Sequence, residues 1–398
     1  MRRLVRRPDR TFWIRPAACG LAAIVAAFAL TAVDRAAGDA ATRLLFPGPP
    51  EGARSFLGAV ITAMISFTGL VFSITVVVLV LTSGQFSPRV LRQFLRDRAI
   101  QWSLGLFIAT FVYALFTLRE VQGTNTADAF VPRIAVTGSF LLVLASVAQF
   151  IYYIHHIIHF IQVSSIIRRT SDEARRLIEV RVPREPSPPA APLDRTGREQ
   201  VVVAPQAGPL LRIDEDALVR RAERDGVGAA LAVRVGDFVP VGASLMTIYR
   251  GPSAPEVDAA GYARSVTQGI ERSMDQDLAF GFRQLVDIAI KALSPSINDP
   301  TTCAQAVDAL HDLLRRLVTR PWRPGRHGDR NGVTRLEVPS WSVGELVVLT
   351  VEEIAHFGAD MPQIPARLAR MLDDLADAAL PEHREAVAAG RRAAGLHG

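Results

Sequence analysis

The histidines of "QFIYYIHHIIHFIQ" are the first residues in the chain whose types and spacing could do more than pack. His155 and His159 stand one helical turn apart, and Gln149, Tyr152, His156 and His159 share one helix face. An i, i+4 histidine pair is a metal-ligand spacing, and imidazoles at membrane depth can relay or sense protons. No Cys, Asp or Glu stands beside them in the sequence to complete a metal set. Tyr and His are also ordinary residues of a membrane interface, so interfacial packing is the plainest of the three readings and no metal is assigned.

Two other stretches carry polar groups at regular spacing. Thr62, Ser66, Gly69 and Ser73, with Gly58, fall on one stripe of an apolar segment, while Thr68, Thr75 and Thr82 form a second stripe on another face. Small residues at this spacing let helices approach closely, and their hydroxyls can also line a polar pore. Two stripes imply neighbours on both sides, hence a bundle or a homo-oligomer. Further on, "DQDLAFGFRQLVDIAIKALSPSINDPTTCAQAVDAL" spans residues 275 to 310. Asn298 or Asp299 can cap the helix that Pro300 begins. The alternative reading of that turn is an anion site made by Ser294, Asn298, Asp299, Thr301 and free helix amides. No Walker loop, GxSxG elbow, HExxH or CxxC pair occurs, so the sequence offers no foothold for enzyme chemistry and calls for no cofactor.

The elements that must position these residues follow from hydropathy. The 398 residues are 49% hydrophobic, with the long apolar stretches confined to about the first 165 positions, the profile of a membrane protein. Four stretches suit transmembrane helices, at roughly 16 to 33, 56 to 82, 101 to 118 and 134 to 160. Arginine is dense before the first span, between the second and third, and after the fourth; the other two loops mix a few arginines with acids. The positive-inside rule then puts both termini in the cytoplasm of a bacterial cell, with the protein in the inner membrane. A basic start followed by an apolar stretch also fits a cleaved signal peptide over residues 1 to 33, which would leave the later topology unchanged. Net charge is +6, carried by Arg with a single lysine, Lys291; this placement favours topology and lipid over nucleic acid. Between spans two and three, Arg89, Arg92 and Arg96 lie on the polar side of an amphipathic elbow after Ser87 and Pro88, suited to anionic lipid headgroups. Cys19 and Cys303 read as small buried residues.

The fourth helix is expected to continue as a stalk to about Val180, closing a membrane domain of residues 1–180. Residues 181–199 are a Pro-rich linker. Residues 200–250 alternate short apolar runs with glycines, a small barrel-sandwich-like β-domain with a helix starting near Asp214; it has no lysine for a prosthetic arm, which excludes a carrier role. Residues 251–398 read as a helical domain, with helices near 342–357, 365–378 and 382–393 after a solvated basic loop, "RPWRPGRHGDRNG". The fold class expected is therefore an α-helical polytopic membrane protein with a cytoplasmic α+β region.

"VFSITVVVLVLTSGQFSPRVLRQFLRDR", "HHIIHFIQVSSII" and "QLVDIAIKALSPSINDPTT" resemble, in that order, motifs of the domain-of-unknown-function 2254 family of predicted bacterial membrane proteins. The resemblance implies membrane helices followed by a soluble C-terminal part; it implies no activity, substrate, cofactor or catalytic residue. Two functions fit. One is an oligomeric, channel-like pore around the span-two stripe, with the cytoplasmic part as its gate; the hydroxyls and histidines incline the sequence toward it. The other is a non-enzymatic membrane-anchored sensor or scaffold that binds a ligand or a protein partner.

Overall fold

The computed structural model describes residues 8–42, 45–85, 97–123, 130–185, 191–322 and 325–396. They form two compact units, residues 1–162 and 163–398.

Among the described residues the first unit holds four helices: α1 (Pro8–Thr42), α2 (Pro50–Gln85), α3 (Arg98–Glu120) and α4 (Arg133–Ile161). Each holds an apolar window long enough to cross a bilayer, Phe12–Ala36, Pro50–Val80, Arg98–Glu120 and Arg133–His159. The helices outrun the apolar stretches seen in the sequence because intrahelical bonding continues past the apolar window. α3 packs against the other three, and 56% of its window is buried against 22–28% for the rest, which makes it the centre of the bundle. Close approach of α1 and α3 depends on small residues: Ala23, Ala27 and Ala109 are buried, and a β-carbon on Gly105 would lie 2.8 Å from Cys19 Sγ.

Polar groups tie one end of this bundle. Pro132 precedes α4 and offers no side-chain acceptor, so Asp34 of α1 caps α4 instead, accepting from the amides of Ile134 (2.9 Å) and Ala135 (3.0 Å). At the same end Arg35 pairs with Glu120, Arg54 donates to the Val121 carbonyl, and Arg133 donates to that of Phe46.

The second unit begins one residue after α4, with α5 (Val163–Arg181). The expected continuous stalk is thus broken at Gln162, and residues 163–180 belong to the second unit. The reason is amphipathicity: Ile166, Ile167, Ala174 and Ile178 are buried against α8 (Leu278–Ala292) and α9 (Pro300–Val318). Ion pairs from Arg175 to Asp312 (3.0 Å) and from Arg320 to Glu179 (2.6 Å) frame the contact.

Next come β1 (Arg198–Val203), β2 (Gly208–Ile213), α6 (Glu215–Asp225), β3 (Gly228–Leu231), β4 (Phe238–Val239), β5 (Ser244–Arg250), α7 (Ala259–Ala263) and β6 (Val266–Gln268). The strands β7 (Gly325–Gly328) and β8 (Thr334–Val338) arrive much later in the chain. One sheet has the order β1-β5-β3-β8-β7 and the other β4-β2-β6, around a core that includes Leu210, Ile213, Leu218, Met246, Ile248, Tyr262 and Leu336. The β-layer is therefore not closed within residues 200–250. β8 runs parallel to β3, with Ala229 opposite Leu336, and β6 completes the second sheet. The basic loop expected at residues 320–332 supplies β7. Its charges sit on a strand pair because Arg326 bonds Glu337 and Arg335 bonds Asp329, while Thr334, Leu336 and Val338 alternate inward.

Helices α8 and α9 pack with α10 (Val343–Gly358), α11 (Gln363–Ala378) and α12 (Arg384–Ala393), close to the expected ranges. Their starts follow local chemistry. Asp214 caps α6, Asp277 caps α8, Asp299 caps α9 before Pro300, and Ser342 with Glu345 forms a capping box on α10.

Candidate functional site

In the membrane unit, Thr62, Ser66, Gly69 and Ser73 are all exposed on α2, and Gly69 also lines an apolar hollow with Trp13 of α1 and Leu104, Ile108 and Phe111 of α3. Of the second stripe, Thr68 is half-buried and the side chain of Thr82 lies outside the described residues. Thr75 is buried, bonding the Val71 carbonyl (2.7 Å) and the hydroxyl of Tyr153 on α4 (2.5 Å). Further hydroxyls, which the sequence did not single out, are buried on α3 and α4. Ser103, Thr110 and Thr117 recur every seven residues on α3, as Ser139, Ser146 and Tyr153 do on α4, and all six are buried. Thr110 and Ser146 share a hydrogen bond (2.9 Å), and Gln149 donates to Ser103 (2.8 Å). Ser103 and Thr110 also bond carbonyls one turn back on their own helix, the usual way to satisfy a hydroxyl in lipid.

The histidine face splits. Tyr152 is exposed and stacks on His156 at 5.8 Å. His156 Nε2 lies 3.1 Å from Asp97 Oδ2, and Asp97 also caps α3 through the amides of Ala99 and Ile100. An acid does therefore stand beside the cluster, supplied from far upstream. Its signal was topological: the start of the third span and the end of the fourth fall on the same side. His155 and His159 are exposed, their rings 4.2 Å apart, with His159 Nδ1 at 2.8 Å from the His155 carbonyl. Among the described residues no group of three or more His, Cys, Asp or Glu is arranged to hold a metal. Arg89, Arg92 and Arg96 lie outside the described residues.

The turn before α9 satisfies itself. Ser294 Oγ donates to the Lys291 carbonyl, Asn298 adopts φ +47°, and Asp299 accepts from both the amide and the hydroxyl of Thr302. Those two bonds hold the Asp299 carboxyl below its usual range. Thr301 is exposed. A carboxylate already occupies this helix N-terminus.

The second unit has a concavity of its own, a pocket of about 190 Å³ where the β-layer meets the helices. α5 contributes Leu177 and Arg181, the turn before β4 contributes Arg234 and Val235, and the start of α8 contributes Gln276 to Ala279. Trp322, His327 and the segment Val338 to Trp341 complete the wall. Trp322 Nε1 donates to the Trp341 carbonyl (2.7 Å), and the Arg234 guanidinium lies 5.1 Å over the Trp341 ring. Every described arginine and acid of the wall has an opposite charge: Arg181 with Glu215 (2.6 Å), Arg234 with Glu345 (2.8 Å), and Asp277 with Arg272 (2.8 and 3.0 Å).

The floor is rigid. Gln276 bonds both the amide and the carbonyl of Ile213, which ties the start of α8 to β2. Asp277 is nearly fully buried; burial pushes its carboxyl pKa up, against the opposing pull of Arg272. Gly236, at φ +99°, is pressed against Asp277, where a β-carbon would collide with the carboxylate. The sequence held a faint sign of this pocket. Of the four tryptophans, two fall in the soluble half, and they are the two that meet here.

Four apolar spans ahead of a folded α/β unit define a polytopic membrane protein. The chain belongs to the domain-of-unknown-function 2254 family of predicted membrane proteins, whose model matches residues 9–374. It is similar to uncharacterized proteins of Mycobacterium bovis and Mycobacterium tuberculosis, 34% identical over 370 residues, covering 90% of this chain and 70% of theirs. No solved structure matches it.

Proposed function

We propose that this is a non-enzymatic, ligand-responsive protein of the bacterial inner membrane, anchored by four spans and sensing through the pocket of its soluble unit. The observation that carries this reading is that α5 forms one wall of the pocket, through Leu177 and Arg181, and is joined to the fourth span by the single residue Gln162. A ligand against that wall acts on the first helix after the membrane. Small-molecule sites favour such junctions between layers.

The inner-membrane placement with cytoplasmic termini rests on arginine distribution. It is supported by Arg35, Arg54 and Arg133, three of the four described arginines of the sparse loops, each being committed to a bond within the bundle, while Arg119 is exposed. In the same scheme Arg89, Arg92 and Arg96 meet anionic headgroups.

The test fills the pocket covalently. Ser340, half-buried in the wall, is replaced in Ser340→Trp, and backbone hydrogen exchange of the full chain is measured in nanodiscs. Exchange across residues 170–181 should slow several-fold; unchanged exchange there in a folded variant would defeat the sensor reading.

A second reading keeps the pore, because the outward placement of Thr62, Ser66, Gly69 and Ser73 leaves that stripe free to surround the axis of a homo-oligomer. It predicts bilayer conductance that disappears in Ser66→Leu/Ser73→Leu. A silent bilayer with wild-type protein removes it.

A further inference from the structure

The chemistry of the pocket narrows what it can take, and this step rests on the sensor reading above. Size comes first. An apolar protein cavity of about 150 Å³ accommodates benzene, so a pocket of about 190 Å³ suits one ring, or two fused rings, with a small substituent.

Charge comes second. Arg181, Arg234 and Asp277 are each already paired, so a charged ligand would have to displace Glu215, Glu345 or Arg272, or enter uncompensated. Both courses are costly away from water. Shape comes third: the indoles of Trp322 and Trp341, with Leu177, Leu278 and Val338 around them, favour flat apolar surface.

We infer that the pocket binds a neutral planar molecule of one or two rings.

Three probes of one shape and different charge test this: benzamide (neutral), benzoate (anionic) and benzylamine (cationic). Each is titrated against the full chain in nanodiscs by saturation-transfer NMR, with empty nanodiscs as the partition control. Benzamide should bind most tightly. Trp341→Ala removes one of the two indoles that line the pocket and should weaken benzamide several-fold. Ser340→Trp should abolish binding; Ser340→Leu is the milder obstruction if that variant does not fold, and should weaken it.

If benzoate or benzylamine binds best in a manner sensitive to Ser340 substitution, the neutral class is wrong while the sensor reading stands. If benzamide binds no better than to empty nanodiscs, or indifferently to both Ser340 and Trp341 substitutions, the inference is overturned. The sensor reading is then judged separately, by whether filling the pocket alters exchange in α5.

Discussion

In the membrane unit, Ile65, Leu70, Phe72, Leu141, Leu144 and Ile151 are exposed while Ser103, Thr110, Ser139 and Ser146 are buried. In the soluble unit the assignment is reversed: Phe282, Leu285, Leu310 and Leu314 are wholly buried, and Arg315, Arg367, Asp308 and Asp374 pair at the surface. The same side chains carry different energies in the two units because the surroundings differ. Against lipid, a leucine gains little by burial, and cohesion comes from close backbones and shared hydroxyls. Against water, burial of apolar area is the main driving force, and surface ion pairs add little.

Substitutions can break or sharpen this contrast. The largest effect is expected for Phe282→Ala, which opens a cavity in the soluble core and should cost about 3–5 kcal/mol in denaturant unfolding. Leu144→Ala, on the exposed face of α4, should stay within about 0.5 kcal/mol, since lipid replaces what is removed. Equal costs would mean that this face is buried by another protein surface.

Next comes Gly105→Leu, which drives a side chain into Cys19 where α1 crosses α3. It should cost about 1–3 kcal/mol by overpacking, read as a lowered unfolding midpoint in detergent. Thr110→Val removes the hydroxyl shared with Ser146 and should cost about 0.6 kcal/mol, the average for such bonds in membranes. A loss of several kcal/mol would show that the α3–α4 hydroxyls act as one network.

The smallest effect concerns charge. Hydrogen bonds from Arg320 and then Arg184 lower the Glu179 carboxyl from 4.5 to about 2. A carboxyl whose pKa is depressed on folding adds stability that is complete above its unfolded pKa. That contribution is lost as pH falls through the folded value. It should therefore fade between about pH 4.5 and 2, and Glu179→Gln should flatten the unfolding curve over that interval while leaving its shape at higher pH unchanged.

How much of this was legible varies with the distance over which each feature is determined. The caps at Asp214 and Asp299 act within three residues of the helix they start, and both were readable. The residues joining β8 to β3 are more than a hundred positions apart, and a parallel pairing leaves no mark in either strand alone. The α2 stripe was visible as a pattern, yet its partner was not, because periodicity says which face is distinctive and not what covers it. Asp97 beside His156, and Asp34 capping α4, are the same lesson with polar groups.

By itself the sequence determined four apolar helices long enough to span a membrane, a following region of mixed strands and helices, and where most helices begin. Each of these depends on composition or contacts within a few residues, which lipid and backbone hydrogen bonding enforce locally. Only the tertiary structure decided that α5 belongs to the soluble unit, that β7 and β8 complete its sheet, and that two tryptophans from separate segments face one pocket. Those outcomes depend on which apolar faces meet across long stretches of chain, a choice that many pairings could satisfy locally and that only the packed whole resolves.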